Sequence, residues 1–119
     1  MLIKKAVRFV IIDNLMMAIT PNGRDNLYML QSAFVGKLSR LAKRYNAVIM
    51  LIAHPRKGSG ESNDDISGSG DVGNKADIVM YYDRDNDRDM DDLRVLRVMK
   101  NRLTGKLGTV DMWFSESKR

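Results

Sequence analysis

Two short apolar runs with one amphipathic helix between them constrain this chain more than any other feature. The first, Val7 to Ile12, is rich in β-branched residues and closes on Asp13; the second, "AVIMLIA", covers residues 47 to 53. Runs of this length and composition read as strands buried on both faces, the habit of a parallel sheet. Between them, Leu27, Leu30, Phe34, Leu38, Leu41 and Tyr45 recur at spacings of three and four. That predicts a helix over 27–45 with one apolar face. Lys37, Arg40, Lys43 and Arg44 fall mostly away from that face, and "ITPNGRDN" ahead of it carries turn residues that could introduce the helix. Strand, helix and strand make a βαβ unit, whose crossover is expected to be right-handed.

Beyond residue 53 the character changes. "HPRKGSGESNDDISGSGDVGN" is rich in Gly, Ser and charge, without apolar periodicity. Loops of this length within a compact domain are usually functional or disordered. "ADIVMYY" reads as a third strand, and the acidic "DRDNDRDMDD" as the solvated tip of an excursion. "LRVLRVMKNR" and "GTVDMWFS", joined by "LTGKLG", alternate as the arms of an antiparallel hairpin. Trp113 and Phe114 point to opposite faces of the last strand, so one of them is expected in the core. The chain is read as an α/β sheet with parallel core strands and a C-terminal β-hairpin. Its 119 residues suit one domain.

Composition narrows the classes. A hydrophobic content of 44% is too high for a disordered tail. With no cysteine, neither disulfides nor thiolate metal sites can hold the fold, which suits a reducing cytoplasm. The opening residues lack a signal peptide's apolar stretch, and no run is long enough to span a bilayer. Twenty Lys and Arg against fifteen acids give a net charge of +5, compatible with a polyanionic partner or with a plain basic surface.

Four groups of residues could carry chemistry. Asp13 ends a strand, and ligands in open parallel sheets bind beyond the strands' carboxyl ends. A carboxylate there can hold magnesium through water beside nucleotide phosphates, or simply cap a helix. His54 is the only histidine and follows the second strand. It could donate to a phosphate or polarise a water, or be an ordinary surface histidine. Arg56 and Lys57, followed by Gly58, put two cations on a glycine loop suited to a nucleic-acid backbone, or to solvent. Lys100 and Arg102 lie at a strand end on one face; an anion between them, or protection of a sheet edge, would account for the pair. No phosphate loop of the form G-x-x-x-x-G-K followed by Ser or Thr occurs in these residues. The nearest string, "GSGDVGNK", has Asn74 where the lysine belongs, and its G-x-G-x-x-G spacing lacks the preceding strand and following helix that a dinucleotide fingerprint needs.

In this order, "FVIIDNLMM", "VIMLIAHPRK", "DISGSGDVGNKADIVMYYDR" and "LRVMKNRLTGKLGTVDMWF" resemble the C-terminal motor domain of DnaB-type replicative helicases, phage primase-helicases and the mitochondrial Twinkle helicase in particular. The resemblance covers nearly all of residues 1–119 and implies a partial RecA-like domain, a parallel sheet with flanking helices. It implies ATP and Mg2+ as cofactors, single-stranded DNA as partner, a homo-oligomeric, hexameric ring in the intact protein, no membrane, and the cytoplasm of a bacterial or phage-infected cell. By the same resemblance Asp13 looks like the magnesium-holding acid, and His54 like the γ-phosphate sensor that moves the loop behind it. Arg56, Lys57 and Gly58 look like one DNA-gripping channel loop, and Ser69, Gly70 and Asn74 belong to another. Ser67 stands where relatives commonly carry arginine, which puts one DNA contact in doubt. Arg102 looks like an arginine finger reaching a neighbouring subunit's nucleotide, with Lys100 assisting. In this family the phosphate loop and the water-activating carboxylate precede the "IIDN" strand. Residues 1–119 alone are therefore expected to be inactive, with apolar surface left uncovered. Two rivals are a non-catalytic DNA-binding or assembly module that docks on a complete helicase, and a recombinase-type or clock-type RecA-fold ATPase. The "HPRK" and "KNR" stretches favour the helicase over the latter.

Overall fold

The computed structural model describes residues 8–19, 22–23, 26–54, 71–84, 93–113 and 115. Its elements run β1 (Phe9–Asp13), α1 (Leu15–Ala18), α2 (Leu27–Tyr45), β2 (Val48–Ile52), α3 (Asp71–Lys75), β3 (Ile78–Arg84), β4 (Leu93–Asn101) and β5 (Gly108–Trp113). They fall into two compact units, Met1–Ala76 and Asp77–Arg119.

In the first unit β1 and β2 pair in parallel, from Phe9 opposite Val48 to Asp13 opposite Ile52. The crossover between them carries α2, as the βαβ pattern requires. Asn26 caps α2 by accepting from the backbone N–H groups of Tyr28 at 3.0 Å and Met29 at 3.4 Å. Asn46 closes it in the left-handed region, with φ 48°. Lys43 and Arg44 in the last turn complement the helix dipole.

The core of this unit is small: Leu15, Val35 and Val72, with Ile19, Phe34, Leu51 and Ala53 packed against it. Three sequence expectations need correction. First, the strands are not buried on both faces. Phe9, Ile11, Val48, Met50 and Ile52 all stand on one exposed face, because in-register parallel pairing puts the alternate residues of both strands on the same side. Second, the buried line of α2 is Gln31, Ser32 and Val35, while Leu41 is exposed. Polar contacts across to α3 and Met16 draw that line inward. Third, Asp71–Lys75 is helical rather than loop, anchored by buried Val72 and an i,i+4 ion pair, Lys75–Asp71 at 3.1 Å.

The second unit is a three-stranded antiparallel sheet in the order β3-β4-β5, so the expected hairpin is joined by β3. Val79 faces Lys100 but Met80 faces Val98, which makes Met99 an extra residue on β4, a bulge. Val79, Leu93 and Val95 are its buried apolar residues. Trp113 is 66% exposed at the end of β5, whose residues are exposed throughout, so it is not the core member of the Trp113–Phe114 pair. Phe114 lies outside the described residues.

Candidate functional site

The in-register pairing of β1 and β2 fixes where their carboxyl ends emerge. Asp13 is the last residue of β1 and is exposed; His54 follows β2 by two residues and is exposed as well. The sheet thus brings together two residues that lie forty-one positions apart in the chain. Asn14 links them. Its Oδ1 accepts from the Met17 backbone N–H at 3.1 Å, capping α1, while its Nδ2 lies 3.4 Å from His54 Nε2. The Asp13–Asn14 peptide is cis.

This tip can be tested against the cofactors the resemblance implies. Asp13 is one carboxylate beside one imidazole, and the described residues hold no group of three or more His, Cys, Asp or Glu side chains that could enclose a metal. A cation here keeps most of its shell as water and phosphate oxygen, which suits magnesium carried with a nucleotide. The residues fit that role and do not fit a protein-enclosed metal.

In the second unit, Lys100 lies just past the bulge, near the end of β4, and Arg102 opens the turn that follows. Asp77 holds Arg102 twice: its carbonyl accepts from the Arg102 backbone N–H at 2.8 Å, and its carboxylate takes Arg102 Nη1 at 3.0 Å. Burial, with the Arg102 charge second, pushes the Lys100 ammonium below the usual lysine range, and Asp77 opposes the shift. Asp77 is thus an anionic partner of Arg102 within the chain. The turn itself is built by Asn101, whose Oδ1 accepts from the N–H groups of Leu103 and Thr104 at 3.2 Å each. Its Nδ2 donates to Thr104 Oγ1 at 2.7 Å and to the Lys106 carbonyl at 3.1 Å. Gly105, with φ 71°, completes it.

Asn74 lies exposed on α3. That helix is tied to α2 by a polar cluster: the Ser32 hydroxyl donates to Asp71, and Lys75 Nζ donates to the Ser32 hydroxyl and, at 3.3 Å, to its carbonyl. The Ser32 hydroxyl first, then Lys75, hold the Asp71 carboxyl below its ordinary value of 3.8. Arg56, Lys57, Gly58, Ser67, Ser69 and Gly70 lie outside the described residues.

The family model of an AAA domain matches residues 2–60. Replicative DNA helicase DnaB of Treponema pallidum (strain Nichols) is 25% identical over 118 residues, 97% of this chain and 26% of that protein. Among solved structures, a DnaB-like replicative helicase that interacts with primase superposes with a TM-score of 0.78 at 20% identity, over 91% of this chain and 28% of its own. Together these similarities support a DnaB-type helicase domain. A second solved structure, an ATPase domain, agrees in fold, with a TM-score of 0.66 at 21% identity over 89% of this chain and 40% of its own. The chain thus spans between 26% and 40% of the length of these relatives. Its DnaB-type fold is partial and RecA-like, the class expected from the order of its motifs.

Asn14, Asp77 and the Ser32–Asp71–Lys75 cluster are the parts of the described structure that the sequence pattern did not reveal. Asn14 carried a usable signal, a capping residue directly after a strand-end acid. Asp77 and Ser32 carried none, since their partners are brought near only by the fold.

Proposed function

We propose that residues 1–119 are the C-terminal part of a RecA-like ATPase domain in a replicative DNA helicase. In the intact protein that motor couples ATP hydrolysis at subunit interfaces to translocation on single-stranded DNA and duplex unwinding. The observation that carries this reading is the placement of Asp13 and His54 at the carboxyl ends of adjacent parallel strands, with Asn14 next to Asp13 lying 3.4 Å from His54, in a chain with the DnaB-type fold. A magnesium nucleotide, when bound, supplies the phosphoanhydride and a cation that neutralises its oxygens. Asp13 holds the cation through water. His54 donates to the terminal phosphate and transmits its presence to the loop that follows, where Arg56, Lys57 and Gly58 grip the DNA backbone. Ser69, Gly70 and Asn74 contribute a second grip. Arg102, with Lys100 beside it, reaches the nucleotide of the next subunit in a hexameric ring, exchanging Asp77 for phosphate oxygen. The 119 residues by themselves do not turn over ATP, since they contain no phosphate loop; DNA-stimulated hydrolysis by the pure chain would refute that.

The test is Arg102→Ala in the intact helicase. Turnover is expected to fall by about 10³- to 10⁵-fold, the range of arginine fingers elsewhere, with nucleotide binding kept. Normal hydrolysis by the variant ring would remove the assignment.

A further inference from the structure

We infer that Asn14 is a positioning residue that decides which nitrogen of His54 carries the proton. The inference deepens the sensor reading of His54 and takes its functional meaning from it. An asparagine amide has an accepting end and a donating end, which are told apart by their partners. Here the partner of Oδ1 is a backbone N–H, that of Met17 at 3.1 Å, which can only donate. Flipping the amide would set two donors against each other and uncap α1. The donating end is therefore Nδ2, and it lies 3.4 Å from His54 Nε2. A donor facing a ring nitrogen requires a lone pair there, so Nε2 accepts and the neutral ring carries its proton on Nδ1.

That is the reverse of the state a neutral imidazole prefers in water, where the proton sits mostly on Nε2. Both partners are placed by the sheet: Asn14 leaves β1 one residue after Asp13, and His54 leaves β2 two residues after Ile52, opposite Asp13. With Nε2 engaged by Asn14, Nδ1–H is the donor that His54 offers to an anion. A sensor so fixed meets phosphate with a set tautomer.

His54 is the one histidine of residues 1–119, so a sample of these residues labelled with ¹⁵N-histidine gives a single pair of ring nitrogens. In mildly alkaline buffer, long-range ¹H–¹⁵N correlation should give a pyrrole-type signal for Nδ1 and a pyridine-type signal for Nε2. Asn14→Asp keeps a good helix cap but presents only acceptors, so the two signals should exchange character. Asn14→Ser keeps the cap and is too short to reach His54, which should return the preference of free imidazole. A wild-type spectrum with the proton on Nε2, matching Asn14→Ser, overturns the inference whether or not the variants fold well. If the wild-type pattern is as expected, yet His54→Ala in the intact helicase hydrolyses ATP and unwinds normally, the sensor reading fails while the assignment of Asn14 stands.

Discussion

Gly36→Ala offers a stability test of how α2 meets α3. Gly36 lies in the middle of α2, where glycine is about 0.8–1.0 kcal/mol less favourable than alanine. A methyl built on its backbone meets Arg40 Nη1 at 3.5 Å and Lys75 Cδ and Cε at 3.6 and 4.0 Å. Those are ordinary van der Waals distances to flexible side chains, so no steric cost opposes the propensity gain. The variant should be more stable by about 1 kcal/mol, which for a unit of this size raises the melting temperature by about 4–8 °C. Its urea midpoint should rise by about 0.3–1 M at customary slopes. Thermal and urea unfolding of the full chain, followed by far-UV circular dichroism, measures both. A loss of stability would refute the reasoning, because it would mean that α3 approaches α2 too closely to admit a methyl. Gly36→Leu is the counter-case, since it must displace the Lys75 stem and should forfeit the gain.

Leu15 is fully buried at the centre of the first unit's core, so Leu15→Ala should cost about 2–5 kcal/mol in equilibrium unfolding. Leu103→Ala, at a position 74% exposed, should stay within about 0.5 kcal/mol of wild type. Asp71 has a folded-state pKa below its ordinary 3.8, so the unfolded chain takes up the proton first. Its stabilisation is therefore complete above that ordinary value and is lost as pH falls through the lower folded value. Acid titration of stability should show a shallower acid limb for Asp71→Asn than for wild type, and identical limbs would contradict the cluster.

The βαβ unit was legible because periodicity reports directly on which elements form: the runs ending at Asp13 and beginning at Ala47 became β1 and β2, and the spacing from Leu27 to Tyr45 became α2. What periodicity could not report is the partner of each face. Leu41 fits the apolar stripe yet is exposed, whereas Ser32 breaks the stripe yet is buried beneath Asp71 and Lys75. For the same reason α3 read as loop, since five residues with one apolar anchor at Val72 give no period to detect. At the candidate site, Asp13 and His54 were legible from their positions after strands, and the sheet brings them together. Arg102 was legible as a cation at a strand end, but its pairing with Asp77 was not, because that contact joins the start of β3 to the end of β4. Arg56, Lys57, Gly58, Ser69 and Gly70 rest on the sequence alone.

In the proposed ring, Asp13 and Arg102 of one chain serve two different nucleotides. Mixing two inactive forms of the intact helicase tests it most directly: one carries Asp13→Ala with Arg102 intact, the other Arg102→Ala with Asp13 intact. In a head-to-tail ring assembled at random from equal amounts, about a quarter of the interfaces join a working Asp13 to a working Arg102 from the neighbour. ATP turnover, absent from either form alone, should therefore reappear in the mixture. A mixture of assembled rings that stays as inactive as its parents would contradict the claim.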